Sequence, residues 1–217
     1  MNKVDIEKLF KDQINKIWDD PKYQDIRVID RGYAVSTGIV KDSILFIGIN
    51  PSYTTSDSSR SFYELKQKDN EYRKYFSKFE EISKCTKHPW SHIDLLFFKE
   101  TSQKYIDTIV KDYPEGLSFI WQQLLVTKQI LEILRPKIIV VSNTKARQFL
   151  GKEQINDRNI WLGYDFKFDQ EIGTDKIMNK DSKLFETPVF FTSMLSGQRA
   201  MDNGSFERLK WHINRSI

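Results

Sequence analysis

The stretch Leu45 to Tyr53, LFIGINPSY, runs from apolar, mostly β-branched or aromatic residues into an abrupt polar end at Asn50-Pro51-Ser52. An apolar run without polar alternation is the pattern of a strand buried on both faces, as in a parallel sheet covered by helices. Three further segments share it: His92 to Phe98 (HIDLLFF), Lys137 to Asn143 (KIIVVSN) and Val189 to Leu195 (VFFTSML).

Helical spacing separates these runs. It appears at Ile6, Leu9, Phe10, Ile14 and Ile17, and again at Tyr72, Tyr75, Phe76, Phe79 and Ile82. A long helix is expected over Leu117 to Leu134, stopped by Pro136; a short one is expected in TKARQFLG, and a closing one at Phe206, Leu209 and Ile213. Strands alternating with helices predict a mostly parallel sheet of Ile44–Ile49, His92–Phe97, Lys137–Ser142 and Val189–Ser193. IRVIDRGYAVSTGIV alternates around Arg31-Gly32 and reads as an N-terminal antiparallel hairpin. Residues 54–69 read as a long loop, and 152–185 as a polar stretch with a small peripheral hairpin near YDFKFD. No repeat or linker divides the chain, so residues 1–217 are expected to form one domain.

Right-handed crossovers bring the carboxyl ends of such strands to one edge, where ligands bind. Those ends are Asn50-Pro51-Ser52, Phe98-Lys99-Glu100, Ser142-Asn143-Thr144 and Ser193 to Arg199. Asn50 can hold a water or a base edge without carrying charge. It can equally cap its own turn beside Pro51. Asn143 can read a base edge or cap the following helix.

Composition narrows the chemistry. Thirty-four basic and 30 acidic residues leave a net charge of +4, which permits a polyanionic partner without demanding one. Cys85 is the only cysteine, so an intramolecular disulfide and a cysteine-ligated metal centre within one chain are excluded. His88, His92 and His212 lack metal-ligand spacing, and no metal or cofactor is expected. The N-terminal segment mixes acidic and basic residues without a continuous apolar core, so neither a signal peptide nor a membrane span is expected. A cytoplasmic monomer is the default expectation.

GINPS, Gly48 to Ser52, resembles the first motif of the uracil-DNA glycosylase superfamily, closest to its mismatch-specific uracil/thymine branch. In the same order, DLLFF resembles the second central strand, and RPKIIVVSNTKARQFLG the strand-loop-helix segment. VFFTSMLSGQR stands where the last motif falls. The resemblance implies a three-layer α/β/α sandwich with a four-stranded central sheet, whose strand ends receive a base flipped out of DNA. It implies that Asn50 positions the water attacking C1′ and that the backbone at Gly48 and Ile49 contacts the base, with Pro51 and Ser52 also in the substrate-binding site. Tyr53 or Phe62 would supply the stacking aromatic, with Asn143, Ser193, Met194, Ser196, Gly197, Gln198 and Arg199 completing the site. The expected partner is DNA, either uracil-containing, mismatched or single-stranded.

The chain departs from the pattern at its end: Met194-Leu195-Ser196 replaces the usual His-Pro-Ser, and a thioether donates no hydrogen bond to an anionic oxygen. A non-catalytic binder of the same fold and a hydrolase of free nucleosides therefore stand beside the DNA glycosylase reading. Asp94, inside an apolar run, reads as paired with Lys99, Arg147 or His92, or as an acid–base group, and is kept out of the site. His92 and Asp94 are expected to diverge. Trp161, Tyr164, Phe166 and Lys167 read as a base-stacking surface or a packed hairpin.

Overall fold

The computed structural model describes residues 2–54, 58–65, 73–151, 154–155, 158–159, 161–197 and 200–217. Strands are β1 (Lys3–Val4), β2 (Tyr33–Thr37), β3 (Ile39–Val40), β4 (Ile44–Gly48), β5 (Arg60–Glu64) and β6 (Trp90–Asp94). They continue with β7 (Ile138–Val141), β8 (Gln154–Ile155), β9 (Arg158–Asn159), β10 (Phe166–Asp169), β11 (Thr174–Ile177) and β12 (Pro188–Phe191). Helices are α1 (Ile6–Asp19), α2 (Arg73–Thr86), α3 (Tyr105–Asp112), α4 (Gly116–Leu134), α5 (Thr144–Leu150) and α6 (Asn203–Arg215).

The central sheet has the order β10-β11-β12-β7-β4-β6. Its four strands β12, β7, β4 and β6 are mutually parallel, as the apolar runs predict. β4 and β7 are buried along their whole length, which is why they carry no polar alternation. Ile44 and Phe46 pack with Phe79 and Ile82 of α2 and with Phe206, Leu209 and Ile213 of α6. Leu45, Ile47 and Ile49 face the opposite side, in the larger cluster with α1, α3, α4 and α5. Helices thus cover both faces of a mixed sheet, an arrangement consistent with three α/β/α layers.

Local chemistry sets the element ends. The Asp5 carboxylate accepts from the Lys8 N–H at 3.1 Å to start α1, and Asp202 does the same for α6 through the Ser205 N–H at 2.9 Å. α4 stops where Arg135 turns left-handed (φ 46°) before Pro136. A Cβ on Gly116 would lie 1.7 Å from the Ile109 carbonyl oxygen, so the α3–α4 junction requires glycine.

Several expectations need correction. The N-terminal hairpin does not form: Arg27–Arg31 is a 3-10 turn, and Tyr33–Thr37 pairs in parallel with Arg60–Glu64. That strand lies inside the segment read as a loop. Phe62 and Tyr63 are adjacent between polar residues and none of the five is fully buried, so no apolar periodicity marks it. β3 pairs instead with β1. The expected peripheral hairpin is β10–β11, and its pairing with β12 makes the central sheet six-stranded, not four-stranded. Strand β6 ends at Asp94, not Phe97, and β12 at Phe191.

Candidate functional site

The carboxyl ends of the parallel strands open onto a cavity of about 470 Å³, within the range of small-molecule pockets. Gly48, Ile49, Asn50, Pro51 and Ser52 form one side, Ser142 and Asn143 follow β7, and Met194, Leu195 and Ser196 follow β12. Sequence order separates these segments by about 90 and about 50 residues; the sheet brings them together.

Asn50 is held firmly. Its Nδ2 donates to the Pro51 carbonyl at 2.9 Å and to the Glu100 carbonyl at 2.6 Å. Only an amide nitrogen can donate to two carbonyls, so chemistry fixes the orientation of the carboxamide. Oδ1 is left without a partner among the described residues, and Asn50 lines the cavity. The Glu100 N–H returns a bond to the Pro51 carbonyl at 3.0 Å, tying the two strand exits together. The buried Glu100 carboxylate accepts from Arg31 at 2.6 Å and from Arg27 at 3.3 Å. Burial alone would raise its pKa, but the Ser102 N–H and Arg31 outweigh that and hold Glu100 below its ordinary value.

The floor is the least expected part. Gly48 lies opposite Asp94 in the β4–β6 register, and Phe46 lies opposite His92. A Cβ at position 48 would sit 2.1 Å from Asp94 Oδ1 and 3.2 Å from His92 Nε2. Glycine is therefore what lets the carboxyl and imidazole lie over β4. His92 Nε2 and Asp94 Oδ1 are 3.9 Å apart. The expectation that these side chains diverge is wrong, because residues two apart on a strand share a face. Neither ring nitrogen of His92 has a hydrogen-bond partner among the described residues, and the ring is enclosed by Tyr75, Phe76 and Phe79.

Burial pushes the Asp94 carboxyl up to about 7 and the His92 imidazole down to about 3. At pH 7 the histidine is neutral, so the contact is not an ion pair. Burial and the Asp94 charge raise the Tyr75 phenol further above its ordinary value, opposed by its bond with Ser142. No group of three or more His, Cys, Asp or Glu among the described residues could hold a metal ion.

No protein-family model, curated protein or solved structure matches the chain. The reading of the site therefore rests on its own geometry.

Of the residues singled out by sequence, Gly48, Ile49, Asn50, Pro51, Ser52, Asn143, Met194 and Ser196 line the cavity. Tyr53 does not: its ring lies under the Arg31 guanidinium at 4.4 Å, and its backbone bonds Thr101. Phe62 packs edge-on against Tyr33 at 5.5 Å, while its neighbours Ser61 and Tyr63 face the cavity, as strand alternation requires. The stacking candidates are thus Tyr63, Tyr75, Phe76 and Trp90. Ser193 and Gly197 are exposed and absent from the described lining, and Gln198 and Arg199 lie outside the described residues. Asn143 caps α5, its Oδ1 accepting from the Lys145 N–H at 2.8 Å and the Ala146 N–H at 3.2 Å. Trp161 and Tyr164 are buried, against Phe149 and Glu132 respectively, so they form no stacking surface.

The helix spacing at Tyr75, Phe76 and Phe79 marks an inward face, but nothing in it separates a cavity wall from solid core. The missed signal is the period-two set Trp90, His92, Asp94, which assigns all three to the face above Gly48.

Proposed function

We propose that the protein hydrolyses an N-glycosidic bond, drawing a base into the strand-end cavity for attack by water at C1′. The observation carrying this reading is the Asn50 carboxamide: both amide hydrogens are committed to backbone carbonyls, so Oδ1 is preset to accept from a water. An oriented water suits a reaction in which the sugar develops positive charge and the base departs with the electron pair. Orienting a water contributes less than deprotonating it, so turnover is slow.

The walls suit a planar ring. Tyr75, Phe76 and Trp90 offer faces and edges against which a base packs. In the primary reading the base is uracil or another damaged base extruded from DNA, at a cost of a few kcal/mol that stacking and edge hydrogen bonds offset. This extends the resemblance of GINPS to the uracil-DNA glycosylase superfamily and gives the protein a place in base excision.

One observation favours a second reading, a hydrolase of free nucleosides or nucleotides. The charged side chains in the described lining are Glu64 and Glu80 against Lys99, with Asp94 adding negative charge only once it ionises, which offers little to a phosphodiester backbone.

The test is base release from labelled oligonucleotides carrying uracil, hypoxanthine, xanthine or a G·T mismatch, scored by alkaline strand cleavage, beside release from the matching free deoxynucleosides. Asn50→Ala should reduce release about 100-fold or more while leaving binding of an uncleavable 2′-fluoro oligonucleotide nearly unchanged. Wild-type protein inactive on every substrate would sink the hydrolytic reading and leave the non-catalytic binder.

A further inference from the structure

The cavity contains a polar group that water positioning by Asn50 does not use. Asp94 lies above Gly48, its side chain 10% exposed and lining the cavity, with no hydrogen bond among the described residues. Beside it is a fully enclosed imidazole whose two nitrogens are both unpartnered. Buried polar groups are ordinarily satisfied, so a nine-tenths buried carboxyl on the cavity wall with no hydrogen-bond partner points to a ligand that completes it. The position is specific: Gly48 gives up its side chain to make room there.

The location relative to Asn50 decides what part of a ligand is met. Gly48 ends β4 and Asn50 lies two residues beyond it, so the two are at most about 6–7 Å apart. Asp94 is the register partner of Gly48 on the next strand. A base whose glycosidic bond lies at Asn50 therefore extends its far edge toward Asp94. The leaving base needs a donor there, and Met194 cannot provide one.

We propose that Asp94, seated over Gly48 with His92 behind it, is the catalytic acid that donates a proton to the far edge of the departing base. The inference rests on the hydrolytic reading above. In the step, the C1′–N bond breaks and its electron pair goes to the base. The Asp94 proton passes to a ring nitrogen or exocyclic oxygen of that base. The water oxygen bonds C1′, and the water proton it loses restores Asp94, so base, hydroxyl-bearing sugar and protein balance. His92 is a positioning residue: neutral and caged by aromatic rings, it holds no competing charge beside the acid.

The experiment follows single-turnover base release from the best oligonucleotide substrate between pH 5 and 9, for wild type, Asp94→Asn and Gly48→Ala. Other ionisable groups facing the cavity are His92 on β6, Tyr75 and Glu80 on α2, Tyr63 and Glu64 on β5, and Lys99. Asp94→Asn keeps the shape and should lose at least 100-fold in rate, with little change in affinity for the 2′-fluoro oligonucleotide. It should also abolish the fall in wild-type rate as Asp94 ionises near neutral pH. Gly48→Ala retains the acid but displaces it, and should lose rate comparably, which decides the matter if Asp94→Asn folds poorly. Release by wild type together with unchanged rate and pH profile in both variants overturns the role of Asp94 alone. No release by wild type from any substrate overturns the hydrolytic reading and the proton transfer with it.

Discussion

Asp94 and His92 pull stability in opposite directions as pH changes. Asp94 has a folded pKa of about 7 against an ordinary 3.8, so between those values the native state holds a proton that the unfolded chain has released. Its contribution to stability is complete below pH 4 and is lost as pH rises to 7. His92, at about 3 against an ordinary 6.5, is neutral in the fold but binds a proton when unfolded. Its contribution is complete above pH 6.5 and is lost as pH falls toward 3. Over the shared window the slopes nearly cancel. Urea unfolding at pH 4, 5, 6 and 7 should reveal this through substitution. Relative to wild type, Asp94→Asn should lose stability toward acid, and His92→Phe should lose it toward pH 7. The spread has an upper bound of roughly 4 kcal/mol, because water in the cavity softens the burial. Identical pH profiles for the three proteins would show that the two groups do not titrate as their burial requires.

Among the elements, the junction after β6 carries much of the rigidity of the cavity mouth. Asn50, Pro51 and Tyr53 are tied to Glu100 and Thr101 by backbone and side-chain bonds. Glu100 in turn anchors Arg31, itself only 17% exposed. Glu100→Ala would strand a largely buried guanidinium and should cost about 3 kcal/mol in chemical denaturation. Arg27 is 58% exposed, and Arg27→Ala should cost under about 1 kcal/mol. Asn143→Ala removes the α5 cap and should cost about 1 kcal/mol. These elements differ in how openly the sequence declares them. β4 and β7 are legible because burial on both faces leaves an unbroken apolar run. β5 is hidden because RSFYE sits at the edge of a two-stranded sheet and presents polar residues to solvent and cavity. The strand-end residues of the candidate site were legible from topology alone. The part of its aromatic wall carried by α2, Tyr75 and Phe76, was not, since α2 reaches it by tertiary packing that no spacing encodes. Asp94 was visible as an anomaly, and its neighbour His92 would have followed from strict period-two counting.

On the scale of the whole molecule, 34 basic residues against 30 acidic ones give no strong general field for a polyanion. Affinity for DNA should be modest and should fall with salt through a few phosphate contacts, as fluorescence anisotropy across a salt series would show. Binding that ignores salt would count against a duplex substrate. Among the described residues, no helix is long and apolar enough to cross a membrane. The sheet order has a consequence for synthesis. The central strand β4 is flanked by β6 and by β7, and β7 begins about 90 residues after β4 ends. At about 5–20 residues per second, the ribosome delivers that second neighbour roughly 5–18 s later. Throughout that interval one edge of an entirely apolar strand has no native partner, so nascent chains arrested between residues 100 and 137 are the species most in need of a holdase.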